Sequence, residues 1–114
     1  MSDALLQVLE RYWGYTSFRA MQREAMEANL ANRDSLVVLP TGGGKSLCFQ
    51  APALAREGLA LVVSPHIALM KDQVDTLVSN GVPAACYHSG LSGEMRQEVA
   101  AGLRNQRYRL LYVA

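Results

Sequence analysis

Cys48 and Cys86 are the only cysteines in the chain, too few for a disulfide scaffold or a four-ligand zinc site. No unbroken apolar run exceeds five residues, the longest being 59–63 and 110–114. A membrane helix needs about 18. The first residues carry Asp3 and Glu10 instead of the apolar core of a signal peptide. These absences point to a reducing setting, and a cytoplasmic location without membrane partners is expected. Charge of one sign is missing too: 11 Lys and Arg face 10 Asp and Glu, for a net +1. Composition therefore says nothing for or against nucleic acid. The loose cluster Arg104, Arg107 and Arg109 reads as a solvated helix end and loop. No repeat or low-complexity tract interrupts the chain. What is present is 50% hydrophobic and 18% charged over 114 residues, which suits one small globular domain.

Apolar spacing sets the expected elements. Leu5, Val8, Leu9 and Tyr12 share one helical face, predicting a helix over 3–12. Ser17 is a candidate cap for a second helix to about Leu30, with Met21, Ala25, Met26 and Leu30 inward. Leu36-Val37-Val38-Leu39 fits a strand buried on both faces. A glycine-rich turn leads into a helix from about Lys45, which Pro52 should kink. Residues 59–63 read as a second buried strand. The helix expected over 67–79 carries Ile67, Met70, Val74, Leu77 and Val78, and Asn80-Gly81 stops it. A weaker strand at 83–87, a helix from the cap Ser92 to about Leu103, and a strand at 108–114 complete the order. After two leading helices this is β-α-β-α-β-α-β, hence an α/β fold with a mostly parallel sheet and helices on both faces. The last strand ends without turn, cap or polar tail, as a piece of a longer chain would.

Pro40-Thr41-Gly42-Gly43-Gly44-Lys45-Ser46 follows an apolar run and opens a helix. Glycines let backbone N–H groups curl around an anion, and a helix N-terminus adds its positive dipole. A lysine here can reach β and γ phosphates, and a Ser46 hydroxyl can ligate Mg²⁺. The strict phosphate-loop pattern wants Gly six positions before the lysine, where Leu39 stands. A second stretch, Leu9-x3-Trp13-Gly14-x3-Phe18-Arg19-x2-Gln22, lies 23 residues before Lys45. A glutamine amide offers a donor and an acceptor that match the N6 and N7 edge of adenine. An aromatic ring and a guanidinium can sandwich the base.

With these residues in view, the chain resembles the RecQ-type DNA helicases of superfamily 2. The 13–22 stretch resembles the family's motif 0, residues 39–50 its motif I, and Ser64-Pro65-His66-Ile67-Ala68-Leu69-Met70-Lys71-Asp72-Gln73 its motif Ia. His66 departs from the leucine usual there. The resemblance implies that Tyr15, Arg19 and Gln22 hold adenine. It also implies that Thr41, Gly42, Gly43, Gly44, Lys45 and Ser46 hold phosphate, with Lys45 serving the chemistry and Ser46 the metal. ATP and Mg²⁺ are then the cofactors. The motif Ia loop would contact the DNA backbone, with Ser64 and the opening N–H groups of the next helix as phosphate donors and Lys71 adding charge. The implied partner is DNA, single-stranded or at duplex junctions, and a bacterial parent would be nucleoid-associated.

The resemblance divides the chain into leading helices with the adenine motif (1–35) and the first part of a RecA-like ATP-binding domain (36–114). The implied activity is ATP-dependent 3′→5′ unwinding in recombination and repair. Hydrolysis needs carboxylates for Mg²⁺ and for the attacking water, and none of the ten acids follows an apolar strand. The 114 residues are therefore expected to be an N-terminal fragment, inactive alone. A stand-alone nucleotide- and nucleic-acid-binding module and a P-loop kinase are the competing readings. Cys48, Phe49 and Cys86 read as core packing, and His88-Ser89-Gly90 as a turn.

Overall fold

The computed structural model describes residues 3–40 and 44–114. Two compact units divide the chain, residues 1–57 and 58–114.

The first unit is helical: α1 is Ala4–Trp13, α2 Gln22–Leu30 and α3 Leu47–Ala55. Asp3 caps α1, its side chain accepting from Leu6 N, which satisfies one of the orphan amides at a helix start. Gly14 ends α1 at φ 74°, a left-handed turn that glycine adopts without a Cβ clash. Leu5, Val8 and Leu9 from α1 meet Met26 from α2 and Leu47 and Ala51 from α3 in one core, with Tyr12, Trp13, Phe18 and Leu30 packed against it. Pro52 lies inside α3, which continues through it to Ala55.

Two expectations fail in this unit. Ser17 does not cap α2, which starts at Gln22 behind Met21 in a left-handed conformation, φ 70°. The Gln22 side chain accepts from Arg19 N, closing the turn that a Ser17 cap would have opened, and Met21 is exposed instead of inward. Residues 36–39 form no strand, and Leu36 and Val38 are exposed. A strand exists through its ladder, and the elements of this unit are helices, which offer none.

The second unit alternates: β1 is Ala60–Val63, α4 Ile67–Ser79, β2 Ala84–Tyr87, α5 Gly93–Arg104 and β3 Leu110–Val113. The strands order β1-β3-β2 and all pair in parallel, Ala60 and Ala84 both opposite Leu110. The last strand in sequence is thus the central one, and Leu110, Leu111 and Tyr112 are buried. Ser92 caps α5, accepting from Met95 N, as expected. On α4, Met70, Val74 and Leu77 turn inward while Ile67 and Val78 at the margins of the apolar stripe stay exposed. β1 is not buried on both faces: its residues alternate, with Leu61 and Val63 exposed. The helices of this unit pack mainly on β2, and Val99 of α5 also meets Leu111 of β3.

Candidate functional site

The 13–22 stretch and the end of the glycine-rich loop meet within the first unit. Gln22 is 1% exposed, a rare burial for an uncharged amide that demands partners. Both ends have them. Its Oε1 accepts from Arg19 N at 2.8 Å and its Nε2 donates to Gly44 O at 3.2 Å. The amide keeps a second N–H and a second lone pair, so a ligand reads it through these or by displacing one of the two contacts.

Gly44 needs to be glycine twice over. Its φ is +82°, and a Cβ there would run into Gln22 Nε2. The close approach brings the last glycine before Lys45 against the first residue of α2. Around this contact lies a cavity of about 400 Å³ lined by Gly14, Tyr15, Thr16, Ser17, Arg19, Gln22, Gly44 and Leu47, a volume within the range of small-molecule sites. Tyr15 and Arg19 are exposed on its wall, an aromatic ring and a cation beside a buried amide. Lys45 is exposed and Ser46 half-buried just before α3, whose N-terminal dipole favours an anion. Thr41, Gly42 and Gly43 lie outside the described residues. The structure thus gathers Tyr15, Arg19, Gln22 and Gly44 around one cavity.

Cys48 follows this turn, buried, with Sγ 3.8 Å from Gly44 O. Burial pushes its thiol pKa up, as it does for half-buried Cys86, so neither has the character of a reactive thiolate.

Ser64 and Lys71 belong to the second unit, at the end of β1 and in the first turns of α4. Ser64 N donates to Val113 O at 2.9 Å, while Ser64 Oγ accepts from His66 N at 3.3 Å. That leaves the hydroxyl hydrogen as a donor. Lys71 Nζ pairs with Asp75 at 2.9 Å, and this hydrogen bond raises the ammonium pKa. The pair tempers the bare cation that Lys71 alone suggests, and its i,i+4 spacing made it readable from the sequence. His88 Nδ1 accepts from Gly90 N at 3.1 Å, a turn as expected. The Gln22–Gly44 bond spans 22 residues, and no local pattern announces it.

The sequence profile of the DEAD/DEAH box helicases matches residues 19–114. Over 98% of its length the chain is 55% identical to a Synechocystis protein named ATP-dependent DNA helicase RecQ, and it covers 23% of that protein. Proteins of the same name from Haemophilus influenzae and Bacillus subtilis are 50% and 44% identical over 96% and 93% of the chain, which covers 18% of each. The chain thus spans between 18% and 23% of the length of these relatives. Its fold is similar to the crystal structure of a hypothetical ATP-dependent RNA helicase from Sulfolobus tokodaii, with a TM-score of 0.74, covering 100% of this chain and 34% of that one. At 19% identity this is a likeness of fold alone, that of a RecA-like helicase domain. No helix among the described residues is long and apolar enough to cross a membrane.

Proposed function

The chain belongs to the DEAD/DEAH box helicase family, and from that premise we propose that it is the ATP-binding part of a RecQ-type DNA helicase. The observation that carries this is the cavity in which the buried Gln22 amide meets the last glycine before Lys45. Adenine sits against Tyr15 and Arg19 and is read by Gln22, whose donor and acceptor match the N6 and N7 edge. The phosphates lie over residues 41–46, with Lys45 placing positive charge at the γ-phosphate. The Ser46 hydroxyl suits an oxygen-seeking cation and would hold a Mg²⁺ ion beside the phosphates. When bound, the ion would supply charge neutralisation there.

DNA is the proposed partner of the second unit. Ser64 donates its hydroxyl hydrogen to a backbone phosphate and the open N–H groups at the start of α4 add to it, with Lys71 beside them. The residues 1–35 form the adenine-reading portion and 36–114 the start of the RecA-like domain. In the whole protein the activity is ATP-driven 3′→5′ unwinding in recombination and repair, in the cytoplasm. No described acidic residue directly follows one of the three strands, so these 114 residues bind ATP without turning it over.

Titration of ATP, ADP and GTP against the wild type and Lys45→Ala tests the reading. ATP should bind in preference to GTP, and Lys45→Ala should weaken ATP more than ADP. In the full-length protein the same substitution should lower DNA-stimulated hydrolysis by orders of magnitude, while DNA affinity without nucleotide holds. A variant that keeps half the rate would show that this loop is not the phosphate cradle.

A further inference from the structure

We infer that Arg23, held by Asp3, is a positioning residue for the nucleotide pocket, its guanidinium clamping the 14–21 loop that forms one wall. This rests on the reading of the pocket as a nucleotide site. The loop joins α1 to α2 without regular structure and supplies Gly14, Tyr15, Thr16, Ser17 and Arg19 to the pocket. Its ends are tied by hydrogen bonds: Gly14 N donates to Glu10 O at 3.0 Å and Tyr15 N to Leu9 O at 3.3 Å, while Arg19 N donates to Gln22 Oε1. Between these ties Thr16 and Ser17 are exposed, and Phe18 alone turns onto the helical core.

Arg23 covers Phe18. Its guanidinium carbon lies 4.9 Å from the ring centroid, within reach of a cation–π attraction. The guanidinium is fixed from two sides, 2.6 Å from Asp3 Oδ2 and 2.7 Å from Glu27 Oε1. A planar fork can answer two carboxylates while stacking on a ring, whereas a lysine ammonium cannot. Asp3 is itself anchored, because its Oδ1 accepts from Leu6 N as the cap of α1. One carboxylate therefore ties the first turn of α1 to Arg23, and Arg23 presses Phe18 down between the pocket residues Ser17 and Arg19. Half-exposed ion pairs add little to global stability. What this one limits is the freedom of a loop that must be ordered before a ligand is held, so its loss falls on affinity.

The test is a cycle in the full-length protein of Asp3→Asn, Arg23→Gln and the double variant, with ATP and ADP binding followed by calorimetry beside thermal melting. Asparagine caps a helix as well as aspartate does, so Asp3→Asn removes the charge and keeps α1. Each single variant should weaken ATP and ADP alike, about two- to fivefold, with little change in Tm. The double variant should be no weaker than Arg23→Gln, and Arg23→Lys should recover only part of the loss. In DNA-stimulated hydrolysis KM should rise and kcat at saturating ATP should hold. Wild-type affinity in the variants, additive losses in the double, or a fall in Tm without a change in affinity would each overturn the clamp and leave the pocket's reading intact. A wild type that binds neither ATP nor ADP would overturn that reading, and the clamp with it.

Discussion

Residues 36–39 and β1 are almost the same run, Leu-Val-Val-Leu against Ala-Leu-Val-Val, and they end in different states. β1 is in parallel register with β3 from Ala60 to Val63. Residues 36–39 have no ladder, and Leu36 is 91% and Val38 82% exposed. Burial does not separate the two, because Val63 on β1 is 80% exposed as well. Pairing does. β1 shares a unit with a central strand, and 36–39 shares one with three helices. Strand preference is mostly the preference for a suitable neighbour. The same contrast runs through the functional residues. In the second unit Ser64 sits where a ladder leaves it, while in the first the site depends on single side-chain bonds such as Gln22 to Gly44.

The sharpest test of this contrast is the central strand. Leu110 is 0% exposed and lies opposite Ala60 and Ala84 at once. Leu110→Ala should cost about 2–5 kcal/mol by urea denaturation, the usual price of a cavity in a packed core. A loss below 1 kcal/mol would mean that β3 does not organise the sheet.

The helices α1, α4 and α5 were legible because their determinants are local. Asp3 and Ser92 are caps that bond three residues ahead, and Leu5, Val8 and Leu9 lie within one apolar stripe. The start of α2 was not legible, since Ser17 has the chemistry of a cap but Gln22 closes the turn with its own side chain. The state of 36–39 was hidden for the opposite reason: a ladder partner is a non-local fact. The motifs named most of the residues that the pocket gathers, yet nothing local showed that Gln22 holds Gly44, or that Asp3 pairs with the Arg23 that lies over Phe18.

The next effect falls on that side-chain contact. Gly44→Ala imposes a left-handed φ on a residue with a Cβ and drives that Cβ into Gln22 Nε2. ATP affinity should fall about tenfold or more, the strain alone being about 1–2 kcal/mol. Gln22→Ala should weaken ATP about tenfold through the lost adenine contact. GTP should lose less, through the lost tie to Gly44 only. In the double variant the clash is gone and the φ strain stays, so its loss of ATP affinity should be smaller than the product of the two single losses. Titration of all four proteins decides this, and equal losses for ATP and GTP would remove adenine reading from Gln22.

A smaller gain is expected one residue earlier. Met21 holds φ 70° at the start of α2 and its side chain is 57% exposed. Glycine takes that conformation without strain, and little packing is lost. Met21→Gly should therefore stabilise the first unit by about 1 kcal/mol in thermal or urea melts. A destabilised variant would show that the Met21 side chain, not its backbone, matters at this turn.

The smallest effect is the one that addresses 36–39 directly. Val-to-Thr keeps the shape and adds a hydroxyl, so it is costly only where the side chain is packed away from water. Val99 is 5% exposed against Ala85 and Leu111, and Val99→Thr should cost about 1–3 kcal/mol. Val38 is 82% exposed, and Val38→Thr should change stability by less than about 0.5 kcal/mol. Threonine and valine are close in helix propensity, so at Val99 in α5 the substitution tests packing and not propensity. A loss of about 1 kcal/mol or more at Val38 would require that side chain to be covered in solution. Residues 36–39 would then pack against some neighbour, and the contrast with β1 would vanish.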